Sequence, residues 1–207
     1  MELREALAEI ADIRLRMAES ELFRGYRSLP IAFSGLLACL AAVLQPIWID
    51  GPHTQVTQYC ILWMGIATLS VATAGATMMV RDYLGGESQT RGFTWLALSQ
   101  LAPPLVVGAI LTVIIARDLP QAVVILPGLW QMLFACGLFA SWRLLPRAAF
   151  GVALFYLASG IVSLALARTE WALHQLVMGV PFGIGQFYAA AVMYWNLERR
   201  DETTEVE

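Results

Sequence analysis

The chain has 207 residues, 58% of them hydrophobic and 14% charged, with a mean hydropathy of +0.65. Soluble domains carry about 25% charge, so composition argues against a water-soluble globular body. The net charge of −3 is small, and no basic stripe or known binding motif points to nucleic acid as a partner.

Residues 1–29 come first. Leu3, Leu7, Ile10, Ile13 and Met17 recur at spacings of three and four, which places them on one face of a helix. Glu and Arg fill the other face, with Glu5/Glu9 and Asp12/Arg16 at helical pairing distances. The mixed charge argues against a purely basic lipid-surface anchor. The expectation is a cytoplasmic amphipathic helix. It packs on a partner protein, on its own twin or against the inner face of the membrane domain, or it lies solvated along the interface.

Six apolar runs follow, at 30–49, 58–80, 93–116, 121–142, 148–167 and 171–195. Each has about the 20 residues that cross roughly 30 Å of hydrocarbon. No Asp, Glu or Arg lies inside any of them. The lipid bilayer is therefore the first expected partner. The predicted fold class is all-α: a polytopic membrane protein whose six transmembrane helices form three hairpins, preceded by the amphipathic helix. The predicted domains are the helix at 1–29, the membrane domain at 30–197 and a charged tail at 198–207. The first run begins only after residue 29 and is long enough to remain a span, so no cleavable signal peptide is expected.

Orientation follows from the arginines. With the N-terminus inside, the cytoplasmic segments hold eleven of them, and the outer loops hold only Arg117 and Arg168. This positive-inside asymmetry places both termini in the cytoplasm. Trp48, Trp171 and Trp195 stand at run ends, where amphipathic rings favour the interface. Small size and plan suggest a bacterial inner (plasma) membrane.

A weak internal repeat runs through the chain. Leu29-Pro30-Ile31-Ala32-Phe33 opens run one, and Leu145-Pro146-Arg147-Ala148-Ala149-Phe150 opens run five. Leu62-Trp63-Met64-Gly65-Ile66 in run two matches Leu176-Val177-Met178-Gly179-Val180 in run six, and run four has Ile125-Leu126-Pro127-Gly128-Leu129. The repeats share one orientation, so a duplication here is parallel rather than inverted. Coincidence within a low-diversity apolar alphabet is the competing reading. Three tandem hairpins with a glycine early in each second helix resemble the HdeD-like family of small bacterial inner-membrane proteins. The likeness covers the hairpin plan and implies no residue roles.

Polar chemistry within the runs is limited to amides and hydroxyls. The lack of intramembrane carboxylates and arginines argues against a proton relay, an ion-coupled machine or an intramembrane aspartyl protease. His53 and His174 fall near the outer surface on separate segments, too few for a metal site. They read as interfacial histidines bonded to loop backbone. Cys39, Cys60 and Cys136 lie in apolar runs without a Cys-x-x-Cys partner, so no disulfide framework is expected. No metal, cofactor or catalytic residue is assigned.

The most strained stretch is Val180-Pro181-Phe182-Gly183-Ile184-Gly185-Gln186. Proline removes a backbone donor, and glycines weaken the helix behind it. Counting about 1.5 Å per residue, Pro103, Pro104, Gln131 and Pro181 fall near the midplane. Gln100, Tyr156 and Gln186 fall toward the cytoplasm. The two readings are a kinked, closely packed helix with glutamines as interhelical glue, and broken helices lining a site for a neutral or lipid-like solute. Gln100, Pro103, Gln131, Tyr156, Pro181 and Gln186 are the candidate ligand-binding residues. Leu3, Leu7, Ile10, Ile13 and Met17 are the candidate partner-binding residues, toward a protein or a second copy through residues 1–24. Small residues at four-residue spacing (Ala72/Ala76, Gly137/Ser141, Gly179/Gly183, Gly185/Ala189) are expected to let helices approach closely. Three functional classes follow: a non-enzymatic partner-binding or assembly module, a small transporter or channel-like carrier, and a membrane enzyme or lipid-handling protein.

Overall fold

The computed structural model describes residues 28–85, 88–142 and 145–198, with side chains described except at 78, 81–85, 88–98, 197 and 198. Every regular element in these segments is helical: α1 (Ser28–Trp48), α2 (Val56–Gly85), α3 (Ser88–Asp118), a 3-10 segment (Pro120–Ile125), α4 (Leu126–Ala140), α5 (Ala149–Leu166) and α6 (Gln175–Met193), ending in a π turn (Tyr194–Glu198). Six of these stretches are long and apolar enough to cross a membrane. Of the predicted amphipathic helix at 1–29, residues 1–27 with all five apolar positions lie outside the described residues, as does the tail beyond residue 198, while Ser28 and Leu29 belong to α1.

The ends of the helices follow local chemistry. Gly51 closes the turn between α1 and α2, its carbonyl accepting from the backbone N–H of Thr54 at 3.0 Å and of Gln55 at 2.8 Å. Pro120 opens the 3-10 segment, where its missing N–H is no loss. Run six begins at Trp171 in the sequence, yet its helix starts only at Gln175. His174 is the N-cap, in extended geometry, with Nδ1 accepting from the Leu176 N–H at 3.3 Å. α6 then runs unbroken through Pro181, and α3 runs unbroken through Pro103 and Pro104. The predicted strain at both places is absorbed inside continuous helices.

Each helix touches its neighbours in the chain, and α1 closes the circuit against α6. The most extensive contacts are α1 with α6 and α4 with α5, pairs that cross the hairpin plan. Two glycine seams explain them. A Cβ on Gly179 would collide with the Cβ of Ala42, and one on Gly183 would lie 2.8 Å from Cys39 Sγ. At the other seam, a Cβ on Gly128 would meet the Gly160 carbonyl at 2.8 Å, and one on Gly160 would meet Met132 Cγ at 2.7 Å. Only glycine allows backbones this close. The small-residue pair Gly179/Gly183 therefore forms a seam within the chain. Ala72 and Ala76, by contrast, are exposed on α2.

α6 is the most interior span, with 50% of its hydrophobic window buried, against 17% for α2 and α3. Two cores result. One, around Tyr59, Trp63, Leu126, Leu173 and Met178, gathers the end of the bundle that holds the α1–α2 turn. The other, around Ala135, Val152, Tyr156 and Val192, gathers α4, α5 and the second half of α6. The perimeter is apolar: Leu36, Leu40, Val43 and Ile47 on α1 and Leu154, Ile161 and Val162 on α5 are exposed. An apolar surface this continuous suits hydrocarbon, and a soluble monomer rarely carries one.

Candidate functional site: carboxamide layers in the bundle core

Gln131 is fully buried on α4. Its Nε2 donates to the Val177 carbonyl at 2.9 Å, and its Oε1 accepts from Ser163 Oγ at 3.2 Å. The choice of carbonyl has a physical reason. In an α-helix the carbonyl of residue i−4 accepts from the N–H of residue i. Pro181 has no N–H, so Val177 loses its helical donor. Gln131 supplies the replacement from a neighbouring helix. One side chain thus ties α4, α5 and α6 together at the depth where the proline weakens α6. Gln131 and Pro181, both candidate site residues, meet through a backbone group.

Tyr156 and Gln186 also meet. Ser163 and Tyr156 are seven residues apart on α5, so this second layer lies about 10 Å toward the other end of the bundle. Tyr156 is buried against Phe134 (ring centroids 4.7 Å apart), Phe182 (5.4 Å) and Phe155 (5.7 Å). Its ring lies across Gly185, where a Cβ would come within 2.5 Å of Cζ. Gln186 is the polar neighbour of its hydroxyl, although no bond of good geometry forms. The remaining two candidates do not join this cluster. Pro103 is exposed on α3. Gln100 is half-buried, with its Oε1 enclosed and unbonded, on the helix that meets α4 where Leu101 and Pro104 cover Gly137.

A third polar layer was not singled out in the sequence. Gln45 on α1 is buried, donates from Nε2 to the Leu173 carbonyl at 2.8 Å, and accepts from Trp63 Nε1 at 2.9 Å. It repeats the Gln131 arrangement, with a backbone carbonyl on one side and a side-chain donor on the other. Beside it, Trp130 Nε1 donates to Thr112 Oγ1 at 2.8 Å, and Thr112 Oγ1 donates to the Gly108 carbonyl at 2.7 Å. Gln45 sits next to Pro46 near the end of its run, where a polar residue reads as interfacial. The available signal was the i, i+18 match of an amide with Trp63 across one short loop.

The candidate sites for chemistry are few. Among the described residues no three of His, Cys, Asp and Glu come together. The three cysteines are free, with Cys60 buried, Cys39 half-buried and Cys136 exposed. His174 is occupied as a helix cap and its ring lies 4.5 Å from that of Trp171, while His53 is exposed. What the described core offers is neutral hydrogen bonding, most of it already used between helices.

Fold and site together define an all-helical, multi-pass membrane protein whose core is tied by buried carboxamides. No family model matches the chain, and no curated protein or solved structure matches it significantly.

Proposed function

We propose that the chain is a non-enzymatic integral membrane module that binds a protein partner, or a second copy of itself, through the apolar face of its N-terminal segment (Leu3, Leu7, Ile10, Ile13 and Met17). The observation that carries this reading is how the fully bonded buried carboxamides are used. Gln131 and Gln45 each have both functional ends bonded within the bundle. A carrier needs such groups free to exchange a solute's hydrogen bonds for their own. With them occupied, the membrane domain acts as a scaffold, and the amphipathic segment becomes the recognition element. The segregation of arginines supports cytoplasmic termini, which puts that segment on the inner side, and small size and plan suggest a bacterial inner membrane. The three-hairpin plan belongs to the same proposal.

Deleting residues 2–24 tests it. Cross-linking in native membranes should show the assembly lost while the purified bundle keeps its helical signal and unfolding midpoint. An unchanged cross-linking pattern sinks the reading.

A carrier for a neutral or lipid-like solute is the second reading, favoured by one observation: the Tyr156 hydroxyl and Gln100 Oε1 are enclosed without well-formed bonds. Tyr156→Phe and Gln100→Leu would then slow the swelling of proteoliposomes in glycerol. Equal swelling rates in wild type, variants and empty vesicles remove it.

A further inference from the structure

Tyr59 stands one turn inside α2, beyond Gln55 at the end of the outer loop. The Tyr59 N–H donates to the Gln55 carbonyl at 3.1 Å, the first hydrogen bond of α2, which makes Gln55 its N-cap one turn before Tyr59. Tyr59 is fully buried, and its ring stacks on Trp130 with centroids 6.4 Å apart and planes 7° from parallel. Among the described residues its hydroxyl has no hydrogen-bond partner, and neither has the enclosed Oε1 of Gln55. The nearby donors are committed elsewhere: Trp63 to Gln45, Gln45 to Leu173 and Trp130 to Thr112.

Two enclosed, unbonded polar atoms one turn apart at the start of α2 are expensive unless something bonds them. A phenylalanine at 59 would fill nearly the same volume without that penalty. We propose that Gln55 and Tyr59 form a small binding site at the outer end of the bundle. It takes one neutral hydroxyl, either a water molecule or the hydroxyl of a small solute. The bound hydroxyl donates to Gln55 Oε1 and bonds the Tyr59 hydroxyl, which meets the two-to-four-partner requirement of buried water. The occupant is neutral because no Asp, Glu or Arg lies within the spans, and an uncompensated charge would be strongly disfavoured there. Gln55 is half-exposed, which gives access from the outer loop.

The test uses full-length protein in lipid nanodiscs, with Tyr59→Phe, Gln55→Leu and the double variant followed by thermal unfolding. An occupied site makes each single change lower Tm by about 2–4 °C. The double variant then falls by less than the sum, because both groups hold one occupant. A Tyr59→Phe midpoint equal to or above wild type overturns the proposal, as does a strictly additive double variant. Glycerol distinguishes the sources. A larger rise in Tm for wild type than for Tyr59→Phe identifies a solute hydroxyl. Equal rises, with Tyr59→Phe still below wild type, identify water.

Discussion

At the residue scale the deciding interaction is one carboxamide against one carbonyl. A proline in a membrane helix leaves a carbonyl that water cannot reach, so another donor must be found nearby. Gln131 is that donor for Val177. Gln131→Leu should destabilise the bundle by about 1–3 kcal/mol, because it orphans the Val177 carbonyl as well as deleting two bonds. Pro181→Ala restores an N–H that can bond Val177 within the helix. Gln131→Leu should therefore cost about 1 kcal/mol less in the Pro181→Ala background than alone. Unfolding midpoints of the four proteins of this cycle check it, and equal costs in both backgrounds would falsify the account. The amide at 131 and the proline at 181 were legible in the sequence as residues of similar depth. That the target is a backbone carbonyl was not, because a carbonyl has no letter of its own.

At the element scale, the glycines separate helix faces that the sequence presents as alike. Met64-Gly65 and Met178-Gly179 are equivalent in the internal repeat, yet a Cβ on Gly65 meets nothing within 4 Å while one on Gly179 runs into Ala42. Gly179→Ala should cost about 1–3 kcal/mol through overpacking of the α1–α6 seam. Gly65→Ala should change stability by no more than about 0.5 kcal/mol. Chemical unfolding of the two variants in the same detergent decides, and similar losses would show that the repeat is equivalent in packing too. The helices do not keep to the apolar runs: α2 extends to Gly85, past Val80, and α3 begins at Ser88, before Phe93. The late start of α6 was not legible either, because His174 caps the helix from inside an apolar run.

At the scale of the whole molecule, the arrangement concentrates order in α6 and leaves α2 and α3 on the flank. The arginine distribution predicts which end faces the cytoplasm. With the native cysteines replaced, Thr54→Cys should react with a membrane-impermeant maleimide in intact cells, and Arg147→Cys only after permeabilisation. The reverse pattern would invert the topology and move the N-terminal segment to the outer side.

The sequence by itself determined that this is a helical membrane protein with six apolar spans, because span length and the exclusion of charge from hydrocarbon are properties of local composition. It also marked Gln131, Tyr156, Pro181 and Gln186 as residues of interest. Only the tertiary structure decided that α1 packs on α6 and α4 on α5, and that Gln45 and Gln131 spend their hydrogen bonds on neighbouring helices. Those outcomes depend on which small residues face each other across a seam. Residues such as Cys39 and Gly183, or Gly128 and Gly160, are distant in the chain and indistinguishable in an apolar alphabet until the helices meet.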